Sequence, residues 1–346
     1  MSARRIGLVF CLTSLATSAC SNDPVATDYK AQALADVKAY IDSQLGMMET
    51  CAASLQSHAP AADADGWNLT DDAAAVALMR SDWACLRNTY ERVEAAIAVV
   101  FPDYDYSLDQ RYDEFVALMA DTNAFDDQTV TGVHAVERIL WAGEAPQATV
   151  DFEETLEFGA PAATPANMTE ATEFKTLLCE RIVTEIHEMR EQFAPQALDT
   201  DAAFRGVQSS MQEQAEKVNL AASGEDESRY AQHTLGDMRA NLAGGREMYS
   251  HFREWLQSKD GGDELDTEIM AGFARLQAAY DALSGDAVPA VPATWNPTNP
   301  SAQDLATPYG TLHSLLEHEA NVDEEGSLAH EMEHAAEALG IPQLPQ

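Results

Sequence analysis

The chain has 346 residues and carries 20 Lys and Arg against 58 Asp and Glu, a formal net charge of −38. Such an acidic surface repels a phosphate backbone, which excludes nucleic acid as a partner, and it suits a protein that meets cations. The length allows two modest domains. Alanine is abundant and runs of β-branched residues are scarce, so the composition predicts an all-α fold.

The N-terminus has the pattern of a targeting segment. Arg4 and Arg5 precede a short apolar stretch from Ile6 to Ala16, and Ser18-Ala19-Cys20 resembles the end of a bacterial lipobox. Residues 1–20 are therefore predicted to be a lipoprotein signal peptide that ends at a lipidated Cys20. Ser21 favours the outer membrane, with the protein anchored in the cell envelope and facing the periplasm. The alternative is ordinary cleavage nearby and a soluble periplasmic protein.

Three further cysteines follow, namely Cys51, Cys85 and Cys179. An oxidising compartment permits a disulfide between Cys51 and Cys85, which lie on two neighbouring predicted helices, and leaves Cys179 over. The chain has no Cys-x-x-Cys, which excludes zinc ribbons, c-type haem and thioredoxin chemistry.

The first half predicts an N-terminal helical bundle over residues 21–143. Apolar residues at helical spacing and Phe101-Pro102, which ends a helix, set the limits of the elements. The predicted helices cover about residues 29–56, 70–100, 108–119 and 126–142. Four helices are enough for one antiparallel bundle.

The second half predicts another bundle. Residues 144–168 are rich in glycine and proline and are predicted to be a crossing loop between the two parts. The C-terminal bundle then covers residues 169–346, with predicted helices over about residues 169–193, 201–222, 226–258, 264–283, 302–319 and 324–339. The predicted fold is thus two packed helical bundles of the four-helix-bundle type.

One motif in the fourth helix has the chemistry of a metal site. His134 and Glu137 lie three residues apart and share one helical face. An imidazole and a carboxylate side by side can both donate lone pairs to one metal ion. Gly132 leaves room for another part of the chain to approach closely. The alternative interpretation is a buried, hydrogen-bonded histidine beside a solvated glutamate.

Two more acidic residues are candidate metal ligands. Glu94, on the second helix, would meet the face of His134 and Glu137 if it turned inward, and Asp109, at the start of the third predicted helix, would supply a fourth ligand. The alternative is that Glu94 belongs to a solvated face with weak ion pairs.

A second histidine motif lies near the C-terminus. His330-Glu331-Met332-Glu333-His334 places two histidines four residues apart with a glutamate between them, which is the zincin signature. Only twelve residues follow, so no third ligand can come from downstream. His330 and His334 are therefore candidates for an accessory metal site, with a surface helix of an acidic tail as the alternative.

Several segments together resemble the imelysin-like family. They are Trp83…Arg87…Tyr90-Glu91…Glu94, then Leu108-Asp109-x-Arg111, then Gly132-x-His134-x-x-Glu137-x-x-Leu140-Trp141, and finally Gly224-Glu225-Asp226-Glu227-Ser228-Arg229-Tyr230-Ala231-Gln232-His233-Thr234. The family includes periplasmic iron-uptake proteins of the EfeO type and proteins described as insulin-cleaving metallopeptidases.

The resemblance implies an imelysin-like helical fold with a metal site at His134 and Glu137, completed by Glu94 and Asp109. Iron, as Fe²⁺ or Fe³⁺, is the ion that it implies, although the ligand chemistry alone also allows zinc or copper. It implies a role in metal uptake, with an inner-membrane iron permease or redox protein as partner. The alternatives are a metallopeptidase and a metal-free scaffold or polysaccharide-binding module.

Overall fold

The structure is a computed structural model that describes residues 27–68, 70–117 and 119–344. Within these residues the chain forms helices and no β-strand, which confirms the predicted all-α class. None of the helices in this part is both long and apolar enough to cross a membrane. The predicted signal peptide and Cys20 lie outside the described residues.

The first half contains two long helices and several short ones. They are α1 (Tyr29–His58), α2 (Ala73–Val100), α3 (Pro102–Asp109), α4 (Tyr112–Val116), α5 (Gly132–Leu140) and α6 (Gln147–Glu153).

The second half begins with an almost continuous helix, in which a π-helical turn (Phe174–Leu178) joins α7 (Met168–Glu173) to α8 (Cys179–Phe193). The remaining helices are α9 (Thr200–Leu220), α10 (Thr234–Ser250), α11 (Arg253–Gln257), α12 (Gly262–Asp281), α13 (Ala302–Leu305), α14 (Pro308–Glu319) and α15 (Leu328–Leu339).

The first bundle is built on α1, α2 and α8. Cys51 of α1 and Cys85 of α2 are joined by a disulfide. Helix α8 also packs against α1, and its apolar stripe, which includes Ile182 and Ile186, is buried. The predicted boundary at residues 144–168 had assigned α8 to the second half, whereas the structure places it in the first bundle.

Helix α2 also packs against α9 and α10, which belong to the second bundle together with α12, α14 and α15. Two glycines permit this close approach. A Cβ on Gly206 of α9 would lie 1.8 Å from the carbonyl oxygen of Ala95, and one on Gly244 of α10 would lie 2.0 Å from that of Arg92. The polar face of α2 is therefore buried at the junction of the two bundles.

The structure corrects three predicted helices. In place of the helix predicted over residues 108–119, the structure has the end of α3 and the short helix α4. Helix α3 starts at Pro102, whose fixed φ suits a first helical position, so Asp109 ends a helix rather than opening one. The predicted helix over residues 126–142 is shortened to α5, Gly132–Leu140. The predicted helix over residues 226–258 begins only at Thr234, because residues 227–232 form turns.

Candidate metal centre

Gly132 is the position that brings the motif helix against the end of α3. Its φ is +81°, and a Cβ there would lie 2.3 Å from the carbonyl oxygen of Leu108. The hydroxyl of Thr131 donates to the carbonyl oxygen of Ser107 at 3.1 Å, and the indole N–H of Trp83 donates to that of Val133 at 2.9 Å. Helix α5 is thus fixed with His134 beside the end of α3.

Replacing Gly132 by alanine is expected to destabilise the protein by more than about 3 kcal/mol, since a left-handed alanine costs about 1–2 kcal/mol and the backbone clash adds to it. Gly143 is a matched control, because it has the same φ of +81° and open space around its Cβ position. Gly143→Ala should cost only the backbone strain. Urea unfolding of both variants measures the difference, and equal losses would show that the contact with Leu108 is unimportant.

His134 is held in one orientation by Glu137. The imidazole is 1% exposed, and its Nδ1 lies 2.8 Å from Oε2 of Glu137. The other oxygen of Glu137 accepts the backbone N–H groups of Tyr230, at 2.9 Å, and of Ala231, at 2.8 Å. Because that carboxylate accepts hydrogen bonds, Nδ1 carries the proton and Nε2 presents its lone pair.

That lone pair points toward carboxylates. Nε2 of His134 is buried, has no hydrogen-bond partner among the described residues, and lies 3.4 Å from Oδ1 of Asp109. Asp109, His134 and Glu227 each offer one ligand atom, and these three atoms all lie within 4.8 Å of one another. The arrangement matches the carboxylate–histidine–metal pattern, in which a carboxylate, here Glu137, orients a histidine whose other nitrogen is available to a metal ion.

Glu227 lies in a turn within the segment that the sequence predicts to be helical. Gly224 has a φ of +79°, and Asp226 accepts the hydroxyl proton of Thr234 at 2.8 Å, so the chain turns before α10 begins. The same turn supplies the two backbone N–H groups that hold Glu137. The prediction did not name Glu227 as a ligand, although the segment Gly224–Glu227 is part of the family resemblance.

Arg87 of α2 lies at the centre of the acidic cluster. Its guanidinium is fully buried and forms ion pairs with Asp109, with Glu91 and, at 2.5 Å, with Glu227. Its Nε lies 3.4 Å from Oδ1 of Asp237. Glu91, Glu227 and Asp237 form a second group of three close ligand atoms. Arg87 is therefore a built-in cation beside both groups.

Glu94 lies outside both ligand groups. Its carboxylate accepts from Nδ2 of Asn241 at 2.7 Å and lies 3.3 Å from Nζ of Lys217. Lys217 also contacts Glu91 at 3.0 Å and Glu227 at 2.7 Å. Of the four predicted ligands, the structure thus brings His134 and Asp109 together, gives Glu137 the role of orienting His134, and turns Glu94 toward Lys217.

Burial and charge shift the protonation of the cluster. Burial raises the pKa of Glu91 to about 8 in spite of Arg87, and it raises the pKa of Glu94 to about 8 in spite of Lys217. Burial also acts to raise the pKa of Glu227, but Lys217 and Arg87 outweigh it, so that this pKa is lowered. Burial lowers the pKa of His134, which keeps its imidazole neutral.

These shifts predict that the metal-free protein loses stability as the pH rises from 6.5 to 8. In the unfolded chain Glu91 and Glu94 ionise near 4.5, whereas in the folded protein they hold protons until about pH 8. The folded state binds more protons in this range, so the stability present at low pH is lost on the way to pH 8. The lowered pKa of His134 affects the stability only below pH 6.5, where the histidine of the unfolded chain takes up a proton.

Urea unfolding with a chelator present should therefore show a free energy of unfolding about 1–3 kcal/mol lower at pH 8 than at pH 6.5. Glu94→Gln, which removes one of the groups that titrate in this range, should flatten the profile. A stability that is constant or rises with pH would contradict this prediction.

Two small cavities adjoin the cluster. One of about 160 Å³ borders Asp109 and Glu227, and one of about 140 Å³ borders Glu94, Lys217 and Glu227. Both are smaller than the 300–1,000 Å³ that organic ligands usually occupy. The donor set of one imidazole and two carboxylates, the free lone pair of His134 and the small cavities all fit a metal ion.

The imelysin (peptidase M75) family model matches residues 50–317. The chain belongs to the imelysin family. The match includes α2, α5 and the turn before α10, and so it contains every residue of the cluster built around His134 and Arg87. A comparison with curated proteins gives no match. The predicted imelysin-like identity is therefore confirmed by the family match.

The other predicted metal residues of this imelysin, His330 and His334, lie on α15, beyond the segment that the family model covers.

Cys179 is buried and unpaired, and burial raises the pKa of its thiol far above the usual range, so it is unreactive.

Proposed function

We propose that this imelysin is a metal-binding protein of the cell envelope that captures iron for uptake. The observation that carries the proposal is the buried Nε2 of His134, which has no partner in the described structure and faces Asp109 and Glu227. A buried nitrogen lone pair beside two carboxylate oxygens is a costly arrangement unless a cation shares it.

The balance of charge supports a cation. Arg87 and Lys217 are the two positive side chains of the cluster, and they face five carboxylates, namely Glu91, Glu94, Asp109, Glu227 and Asp237. A bound metal ion of charge +2 or +3 would compensate these carboxylates as it displaces the protons that Glu91 and Glu94 hold below about pH 8. Two hard oxygen donors with one imidazole suit Fe²⁺ or Fe³⁺, while zinc and copper would also accept them.

Binding fits the site better than hydrolysis does. A metallopeptidase needs room for a peptide beside the metal and a free general base. The adjoining cavities hold only about 160 and 140 Å³, and Glu137 is engaged by His134 and by two backbone N–H groups. The bound metal would supply charge neutralisation, and the protein would supply orientation and burial.

Metal binding by the purified protein tests the proposal directly. The protein is dialysed to equilibrium against Fe²⁺ without oxygen, against Fe³⁺ with a weak chelator, and against Zn²⁺ and Cu²⁺. We expect about one iron per chain with micromolar or tighter affinity, and a lower pH should weaken binding because protons compete for the ligands. Absence of iron binding by the wild type would refute the proposal and favour a metal-free scaffold.

The anchor is the second part of the proposal. The pattern of residues 1–20 supports a lipoprotein signal peptide with lipidation at Cys20. The lipid would hold the protein on the outer membrane, facing the periplasm. There it would be within reach of an inner-membrane iron permease or redox partner. In a Gram-negative host we expect the wild type in the membrane fraction and Cys20→Ser outside it. A wild type that stays in the soluble periplasmic fraction would favour the soluble alternative.

A further inference from the structure

A pair of histidines on the C-terminal helix is held with two ring nitrogens facing each other. Nε2 of His330 lies 3.1 Å from Nε2 of His334, one helical turn further on. Nδ1 of His330 lies 2.8 Å from the backbone carbonyl oxygen of Val322, and Nδ1 of His334 lies 3.5 Å from Oε2 of Glu337. Val322 thus orients the His330 ring, and the contact between the two Nε2 atoms holds the His334 ring beside it.

The hydrogen bond to Val322 determines which nitrogen of His330 has a lone pair. The carbonyl of Val322 can only accept, so Nδ1 of His330 carries the proton and its Nε2 has a lone pair. Nε2 of His334 lies within hydrogen-bond distance of that lone pair, so without metal His334 carries its proton on Nε2 and donates it to Nε2 of His330. A divalent ion that displaces this one proton finds both Nε2 atoms already directed toward a common point, 3.1 Å apart.

The separation suits one metal ion. With metal–nitrogen bonds of about 2.05 Å, two nitrogens 3.1 Å apart subtend about 98° at the metal. That angle lies between the 90° of neighbouring ligands in square-planar or octahedral coordination and the tetrahedral angle of about 109°. The two rings need little movement to become ligands of one ion.

We propose that His330 and His334 form a second metal site, on the surface of α15 and separate from the buried cluster around His134. Its ligand is a divalent transition ion that prefers imidazole, with Cu²⁺ bound most tightly and Ni²⁺ and Zn²⁺ more weakly, in the order that nitrogen ligands follow. The half-exposed side chain of His334 gives the ion access from solvent. The hydrogen bond from His330 to Val322 ties the bound ion to the loop before the helix.

The site chelates metal but lacks the parts of a zincin. Glu331, the general base of that motif, accepts the backbone N–H of Gly326 at 3.2 Å, and Glu333 pairs with Arg205. Neither close group of three ligand residues found in the described part of the chain includes His330 or His334. Water must therefore fill the remaining positions, and the site binds an exchangeable ion rather than hydrolysing a peptide bond.

Copper titration of the purified protein tests the proposal, in the wild type and in a His134→Ala background that removes the buried ligand. With Cu²⁺ as probe, the His134→Ala protein should bind one tight equivalent. Its electron paramagnetic resonance spectrum should show coupling to two imidazole nitrogens. Adding both His330→Gln and His334→Gln should abolish binding of that equivalent. His334→Gln alone, which leaves the bond from His330 to Val322 intact, should lower the copper affinity at least about tenfold.

His318→Gln is the matched control, because His318 is also a partly exposed histidine beside a carboxylate, 2.8 Å from Glu324, but has no histidine partner. It should leave the copper equivalent unchanged. The proposal is overturned if His334→Gln keeps its affinity within about twofold, or if His318→Gln loses as much copper as the double variant. Because iron binding at His134 is measured separately, either site can fail without the other.

Discussion

His134→Ala is expected to abolish the buried metal site, with iron affinity reduced by more than about 100-fold. The imidazole is the only nitrogen donor of the group that it forms with Asp109 and Glu227, and its Nε2 is the atom without a partner in the described residues. Its loss should exceed the 10–100-fold that removing an outer-shell partner usually costs. Equilibrium dialysis against Fe²⁺ measures the change.

Glu137→Gln distinguishes a ligand from a residue that orients one. The glutamine oxygen can still accept from the backbone of Tyr230 and Ala231, but its amide N–H₂ would face Nδ1 of His134. Two donors cannot pair, so the proton moves to Nε2 and blocks the metal-binding lone pair. We expect a loss of about 10–100-fold, smaller than that of His134→Ala.

His251→Ala is a suitable control, since His251 is another partly buried histidine and lies beside Glu247 at the end of α10. It should bind iron as the wild type does. If Glu137→Gln loses as much affinity as His134→Ala, Glu137 is itself a ligand. If His134→Ala keeps wild-type affinity, the ion does not bind at this centre.

The helical class could be predicted from the sequence because periodicity and composition are local signals. The turn over residues 226–233 could not be predicted, because its composition is that of a helix. There the fold depends on a left-handed Gly224, on a left-handed Gln232 and on the bond between Asp226 and Thr234. The placement of α8 against α1 rather than in the second half also depends on which apolar stripes meet, and a single sequence does not specify that.

Only part of the candidate site could be predicted, because the sequence shows local spacing but not contacts between distant segments. The three-residue spacing of His134 and Glu137 places them on one face, but it cannot tell a ligand from an orienting group. That difference depends on the backbone of Tyr230 and Ala231, about ninety residues away. Arg87 and Glu227 were quoted only as part of the family resemblance, and their roles depend on how the two bundles meet.

Arg87→Met is expected to destabilise the metal-free protein by about 3–5 kcal/mol. The side chain is fully buried and contacts four carboxylates, namely Glu91, Asp109, Glu227 and Asp237. Methionine fills much of the volume but removes the positive charge, so Asp109 and Asp237 lose their ion pairs with Arg87, and Glu227 keeps only the one with Lys217. Urea unfolding in the presence of a chelator measures the loss.

Divalent metal should reverse much of this loss. Without the guanidinium, the close oxygens of Glu91, Glu227 and Asp237 can share a cation, and a ligand that binds only the folded state stabilises it by mass action. The gain in stability on adding Mn²⁺ should therefore be larger for Arg87→Met than for the wild type. Mn²⁺ suits the comparison because it prefers oxygen ligands and resists oxidation better than Fe²⁺ does.

Arg190→Met is the matched control. Arg190 also pairs with two carboxylates, Glu49 and Asp42, but its side chain is 38% exposed, so water screens the pairs and the loss should stay below about 1 kcal/mol. If Arg87→Met were no more costly than Arg190→Met, Asp109, Glu227 and Asp237 would have to be protonated, as Glu91 is below about pH 8, rather than held by the charge of Arg87. If Mn²⁺ stabilised Arg87→Met and Arg190→Met equally, Arg87 would not occupy a cation position. The buried cluster would then have room for one ion only.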